Sequence, residues 1–587
     1  MKIMEYKSEN KICQNCKNDF IIEPDDFGFY EKIKVPPPTF CPGCRSQRRL
    51  AWRNDLVLYN RICDLCKKSV ITIYSKESGI TVYCNKCWWS DKWDFLAYGQ
   101  DYDFSRTFFE QLKELTLKVP HMALINDNGI ASVNCEYTND FAFGKNCYMV
   151  FVAWYIENVM YSFYITAGKY IMDSMINMAE TEYIYECINC SHGYRLKYSE
   201  YGGACINSQF LYDCRDCSDC FMCTGLRNKK YYFKNKEYSK EEYEKILASY
   251  QLDTFSGVEK TRKEFDKFTL SYPRKHAWHK QNKDCTGDVI SYSKNTYDSF
   301  VVKKLENCRY IEFSMEAKNC YDMATGGKLS ECYEAITCDL SSRNIFGIFS
   351  WNSQDVEYTQ HCHVSKSLFG CVGLRNKKYC ILNKQYSKKE YAIMTEKIKK
   401  QMDELPYKDS NGCIYKYGEF YPAELSYFGY NESVAGERFP LVKEKAVSSN
   451  FKWQDNIQKT TGKETLKPEN IPDSINDIKD SILNEVLACI DCKRNYKLVL
   501  NELIFYRKMK IPVARRCFYC RHKARLARIN PFKLWHRTCM CGSAGSPSTT
   551  TNHFHGTKKC EIEFETSYAP DRPEIVYCEK CYQQEVY

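Results

Sequence analysis

The sequence predicts a mainly β protein: a duplicated, β-solenoid-like repeat domain flanked at both termini by tandem four-cysteine modules, with short capping helices. Three observations carry that expectation. Two cysteine arrays of identical spacing stand near the two ends, Cys13, Cys16, Cys41, Cys44 and Cys489, Cys492, Cys517, Cys520. Two long central segments repeat at an offset of 148 residues. Within them, polar residues followed by aromatics recur every 11 to 13 residues, without helical spacing.

The chain has 587 residues, 44% of them hydrophobic and 15% aromatic, enough for several cores and too apolar for general disorder. A net charge of +10 is modest for this length and hints at an anionic partner. Thirty-five cysteines would suggest a disulfide framework in a secreted protein. The opening MKIMEYKSENKICQNC lacks an apolar leader core, and the longest apolar stretch, from Met149 to Ile165, is interrupted by Glu157 and Asn158. The expectation is a cytoplasmic protein with no membrane segment, in which paired thiols ligate metal.

Each terminal array reads C-x2-C, a gap of 24, then C-x2-C, and at an offset of 476 the copies also share Lys17/Lys493, Phe29/Phe505, Tyr30/Tyr506, Pro36/Pro512, Arg45/Arg521 and Arg49/Arg525. Two residues between cysteines let both thiolates reach one tetrahedral ion from a tight turn, and two such turns close the shell. In each copy the second pair opens a basic helical segment, CPGCRSQRRLAWRN or CFYCRHKARLARIN, suggesting a treble-clef arrangement of one knuckle plus a helix N-terminus, whose dipole favours thiolates.

A second module follows each first one. At the N-terminal end it holds Cys63, Cys66, Cys84 and Cys87. Its counterpart ends in Cys578 and Cys581, but its first pair is the C-x-C of Cys539 and Cys541, a Ser/Thr/Gly-rich insertion follows, and Cys560 adds a fifth thiol. The reading favours Cys539, Cys541, Cys578 and Cys581 as ligands with Cys560 as the substitute, and takes His553 and His555 as exposed imidazoles on an insertion tip. About four structural zinc ions are expected in all.

The segment from CQNCKNDF to FCPGCRSQRR resembles the zinc-ribbon domain found in many bacterial proteins, and the C-terminal copy resembles a looser member, each over about 40 residues. The wider order, with WWSDKWDFLAYGQDYDFSRTFFEQL, YGEFYPAELSYFGYNESVA and SYAPDRPEIVYCEKCYQ, resembles long uncharacterised zinc-ribbon proteins of uncultivated small-genome bacteria. That resemblance implies zinc binding and a bacterial cytoplasm, and no reaction.

The duplication is plainest in CTGLRNKKYYFKNKEYSKEEY from Cys223 against CVGLRNKKYCILNKQYSKKEY from Cys371. In the second copy polar stations fall at Asn295, Asn307, Asn319, Glu331, Asn344, Asp355 and Ser367, and in the first at Asn146, Asn158, Asn207 and Asp219. This beat reads as brief strands joined by turns and stacked into rungs, leaving open whether 12 residues make a whole rung or half of one. SKEE from Ser239 and SKKE from Ser387 read as capping boxes opening a helix after each block. Cys147, Cys220, Cys308, Cys320 and Cys332, each one place after a station, are expected to form an inward column. Cys214, Cys217, Cys220 and Cys223 have the three-residue steps of iron–sulfur ligation, but the second copy keeps only Cys362 and Cys371, so buried thiols are favoured over a cluster. Cys187 and Cys190 form an isolated pair.

The expected division is 1–54 and 55–123 for the N-terminal modules, the second with a helix, 124–250 and 284–403 for the repeat copies with their capping helices, 251–283 for a connector, 404–480 for an aromatic and polar linker, and 481–530 and 531–587 for the C-terminal modules. Three functions compete. The favoured one is non-enzymatic binding of RNA or DNA through Arg45, Arg48, Arg49 and Arg53 at one end and Arg515, Arg516, Arg521, Lys523, Arg525 and Arg528 at the other, with Trp52 and Tyr519 able to stack on bases. The second is a protein-binding or self-associating scaffold, for which exposed aromatics between Tyr415 and Phe439 would serve. The third is a carbohydrate-active or other enzyme on a β-helix; carboxylates such as Asp298 and Glu306 are present, but no catalytic motif groups them.

Overall fold

The computed structural model describes residues 6–127, 131–169, 172–177, 185, 188–189, 193–315, 321–323, 326, 332–337, 341–542, 553–556 and 558–586. Cys187, Cys190, Cys320, Asn319 and Glu331 lie outside the described residues. Among the described residues the protein is strand-rich, with 29% strand against 26% helix. It divides into two compact units, Met1–Asn128 with Ala277–Ile457, and Gly129–His276 with Gln458–Tyr587. Each unit therefore joins the cysteine modules of one terminus to the repeat block of the opposite half. The first unit holds the second repeat block and the second unit holds the first.

Both blocks are parallel ladders with a twelve-residue register. In the second unit Phe141 pairs with Ala153 and Ala153 with Ile165. In the first, Val356 pairs with Leu368 and Leu368 with Cys380. Bridges at the same spacing link Lys197 to Gln209, Glu200 to Tyr212, Gly203 to Arg215 and Ile206 to Ser218, four stations three residues apart. Between them the backbone turns through the left-handed region at every third residue, as at Asp140, Phe143, Asn146, Met149, Val152, Tyr155 and Asn158. That conformation costs an L residue about 1–2 kcal/mol, and the ladder bonds hold it. Asn and Asp tolerate it best, which explains why most of the stations are Asn or Asp. Asn344 departs from this: Arg343 takes the corner and Asn344 is buried. Where the register slips from eleven to twelve residues, Gly287 has φ +133°, and a Cβ there would meet the Ser299 carbonyl at 1.8 Å.

The residue after each corner faces inward. Phe141, Cys147, Val150, Ala153, Ile156 and Val159 form one such core, and Val356, Cys362, Leu368, Cys371, Leu374 and Cys380 another. The backbone holds inward serines such as Ser353, whose Oγ donates to Trp351 O at 3.1 Å and accepts from the Ser365 amide at 3.2 Å. The stations themselves stack, Asn134 to Asn146 at 3.1 Å, Asn146 to Asn158 at 3.0 Å and Asn295 to Asn307 at 2.9 Å, an amide ladder of the kind that in-register stacking favours. The stretch from Met149 to Ile165 lies in this ladder, and no helix among the described residues is long and apolar enough to cross a membrane.

After each block a helix begins at a reciprocal cap, Ser239 with Glu242 before Lys240–Ser249 and Ser387 with Glu390 before Lys388–Glu404. In the first unit the aromatics that follow the stations pack together outside the ladder, Tyr333 edge-on to Phe346 at 5.3 Å and Phe346 stacked on Tyr358 at 4.6 Å. They are packed under the modules, Phe29 against Tyr321 at 4.0 Å and Phe108 against Tyr358 at 5.1 Å. The linker aromatics join the same core: Tyr415, Phe420, Tyr421, Tyr427 and Phe428 are buried, which corrects the expectation that they are exposed.

Candidate metal centres

Each first module is a knuckle followed by a helix. Strands Glu9–Ile12 and Asp19–Ile22 pair around Cys13 and Cys16, and Lys17 turns at φ 63°, its amide donating to Cys13 O at 3.1 Å. Lys493 repeats the turn at φ 60°. Lysine occupies these left-handed turns because the chain must double back for both thiols of C-x2-C to face one point. The second pair opens helix Pro42–Leu50 at Cys41 and helix Phe518–Leu526 at Cys517, where the helix N-terminus favours negative sulfur.

Four groups of cysteine sulfurs converge, each with all atoms within 4.8 Å: Cys13, Cys16, Cys41 and Cys44; Cys63, Cys66, Cys84 and Cys87; Cys489, Cys492, Cys517 and Cys520; and Cys539, Cys560, Cys578 and Cys581. Cys16 and Cys41 Sγ are 3.6 Å apart, as are Cys492 and Cys517, a spacing suited to sulfurs sharing a tetrahedral ion. Backbone amides point at the sulfurs, Cys41 N to Cys13 Sγ at 3.2 Å, Cys84 N to Cys63 Sγ at 3.2 Å and Cys578 N to Cys539 Sγ at 3.1 Å. Bonds from the Cys41 and Cys44 thiols pull Cys13 well below the usual thiol range. Burial would push Cys489 up, but the amides of Cys492 and Cys517 hold it at about 7. Four thiolate donors with amide support fit a closed site for a thiophilic ion such as zinc.

The last group corrects the expected ligand set. Cys560, not Cys541, completes the tetrad with Cys539, Cys578 and Cys581. Cys541 instead gathers with His553 and His555, and His553 is buried rather than exposed on a loop tip. The C-x-C spacing is one residue short of a knuckle, so its second thiol is free to face elsewhere, while the insertion returns a distant cysteine to the vacated corner. The H-x-H of NHFHG beside an odd cysteine was the available signal in the sequence.

Cys214, Cys217, Cys220 and Cys223 take successive inward stations, each donating to the carbonyl two residues back at 3.2–3.6 Å. No three of their sulfurs come within 4.8 Å of one another. Cys147, Cys308 and Cys332 are likewise buried in the inward column.

The basic helices turn toward the repeat blocks. In the first unit Arg45 pairs with Asp322, Arg48 with Glu334 at 2.6 Å and Glu419 at 3.1 Å, and Arg53 with Asp55 at 2.7 Å. Arg49 is fully buried. In the second unit Arg521 and Arg525 reach Asp173 at 3.1 and 3.2 Å, Arg528 pairs with Glu200 and Asp266, Arg516 with Glu259 and Asp491, and Arg515 with Asp473. Phosphate contact needs cations open to solvent. Arg45, Arg48, Arg49, Arg53, Arg521 and Arg525 are buried, so they cannot meet phosphates as expected, and of the ten expected contacts only Lys523 is exposed. Trp52 is buried beside Tyr421 and Tyr427, and Tyr519 is half-buried under Arg494 at 4.0 Å. Burial also acts on the partner: it pushes the Glu334 carboxyl up to about 7 while Arg48 opposes the shift. Glu306, a carboxylate considered for catalysis, is exposed and lies 3.7 Å from Lys294.

The chain matches no protein-family model and no curated protein sequence.

Proposed function

We propose that this chain is a non-enzymatic scaffold. In this reading the tetrads hold structural zinc, each repeat block is a four-sided β-solenoid of twelve residues per turn, and the solenoid flank binds protein partners or further copies of the chain. The observation that carries the reading is the fate of the arginines. Charges this deeply buried and paired hold two elements in one geometry and are withdrawn from any polyanion. An exposed aromatic pair supports the scaffold role: Phe143 and Tyr155, one turn apart, stack at 4.7 Å while remaining 47% and 62% exposed.

The test is a titration of the metal-loaded chain with RNA and with DNA by fluorescence anisotropy at low and physiological salt, run beside sedimentation velocity over a range of protein concentrations. Weak binding to both nucleic acids, together with self-association that Phe143→Ser with Tyr155→Ser diminishes, is the expected result. A monomer that binds RNA or DNA tightly, with a steep loss of affinity on adding salt, would overturn the scaffold reading and restore the nucleic-acid one.

A further inference from the structure

We propose that the last module holds two metal ions joined by the Cys581 thiolate: one in the Cys539, Cys560, Cys578, Cys581 tetrad, the other bound by Cys541, His553, His555 and the same Cys581. The ligand atoms of each set lie within 4.8 Å of one another, and Cys581 belongs to both. Its sulfur is 3.4 Å from His555 Nε2, and Cys541 Sγ is 2.9 Å from His553 Nδ1.

The second observation is what stands behind the imidazoles. His555 Nδ1 lies 2.6 Å from the Lys558 carbonyl, which fixes the proton on Nδ1 and leaves Nε2 as the free lone pair facing Cys581. His553 has the opposite arrangement. Its Nε2 lies 2.9 Å from the Glu585 carboxylate, leaving Nδ1 toward Cys541. Each ring thus presents one nitrogen to the site; the carbonyl behind His555 Nδ1 supplies the outer-shell support that orients metal-bound histidine, and the Glu585 carboxylate stands at ion-pair distance behind His553 Nε2. His553 is 6% exposed, an unusual position for an imidazole from a polar insertion unless something holds it there.

Charge explains the composition. Two divalent ions against five thiolates and two neutral imidazoles leave a net charge of about −1, against about −2 for a single ion in four thiolates. Histidine in place of further cysteine, and one sulfur shared, keep a crowded site from accumulating negative charge. The corresponding N-terminal module has Cys63, Cys66, Cys84 and Cys87 and no such insertion, so the second ion is specific to this end.

The inference rests on reading the tetrads as metal sites, and the experiment separates the two. Elemental analysis of the intact chain is expected to find five ions, four in the tetrads and one in the mixed set. His553→Ala with His555→Ala, and separately Cys541→Ser, are each expected to lower that number by one. Cadmium-113 substitution of the unmodified chain, read by NMR, is expected to show one resonance in the mixed sulfur–nitrogen range and scalar coupling from it to a four-sulfur resonance through the shared thiolate. Four ions, or a stoichiometry indifferent to both variants, or no mixed-ligand cadmium signal, would overturn the bridged pair and leave the tetrads standing. A metal-free chain that is fully folded would overturn both readings.

Discussion

The two units are built from the same parts, and they agree most closely where a cysteine module meets a repeat block. Arg45 pairs with Asp322 in the first unit, and its equivalent Arg521 pairs with Asp173 in the second, both aspartates at left-handed corners. Tyr30 lies against Tyr333 at 5.2 Å, and Tyr506 against Tyr185 at 6.3 Å. The second modules diverge. In the first unit Arg375 stands within 5.2–6.0 Å of Trp88, Trp89, Trp93 and Phe95, whereas in the second its counterpart Arg227 pairs at 3.0 Å with Asp213, which also accepts from Tyr582. Strand Val82–Tyr83 pairs in parallel with His121, while Val576–Tyr577 pairs with Arg274. The first module and its buried ion pair set the docking, and the second module has been free to change its means.

Metal removal gives the largest expected effect, since apparent zinc affinities of structural sites correspond to about 10–16 kcal/mol each. A strong chelator is expected to abolish the near-ultraviolet circular dichroism of the buried aromatics in both units. The ladders, whose inward cores involve no tetrad cysteine, are expected to keep most of their far-ultraviolet strand signal. A chain that loses both signals together would show that the blocks have no independent stability.

Breaking the shared ion pair comes next. Asp322→Ala is expected to cost the first unit about 3–5 kcal/mol in urea unfolding, because it strands buried Arg45. Asp173→Ala is expected to cost the second unit at least as much, since that carboxylate serves both Arg521 and Arg525. A loss below about 1 kcal/mol in either would mean that the pairs are dispensable.

Acid separates the units by a smaller margin. Burial lowers His121 from its ordinary 6.5 to about 4, so the folded first unit excludes a proton that the unfolded chain accepts. The contribution is complete above pH 6.5 and is lost as the pH falls toward 4, reaching about 2 kcal/mol by pH 5. Arg274, at the equivalent strand of the second unit, stays charged throughout and gives no such window. Urea melts of the unmodified chain and of His121→Gln at pH 7 and pH 5 would check this, the variant losing the share due to His121 and keeping that of His361 and His363, which burial also lowers, His363 to about 3. Smallest are the helix caps. Ser239→Ala and Ser387→Ala are each expected to cost about 1 kcal/mol, equally in the two units, and unequal losses would show that one helix is anchored chiefly by its tertiary contacts.

Local spacing made much of this legible in the sequence. The paired cysteines, the twelve-residue beat and the SKEE and SKKE caps all act through neighbours a few residues apart, or through one repeated backbone bond, so reading them needs no knowledge of what packs against them. Three sites on the same chain were decided by what the fold brings from far away. The arginines of CRSQRR look like a phosphate-binding face until Asp322, more than 270 residues on, is set beside Arg45. Cys541 looks like a ligand of the tetrad until the insertion delivers Cys560. The aromatics from Tyr415 to Phe428 look like surface until the first unit closes over them. A charge or a ring has no fixed role in a sequence, because its free energy depends on whether water or a partner surrounds it, and only the tertiary structure supplies the partner.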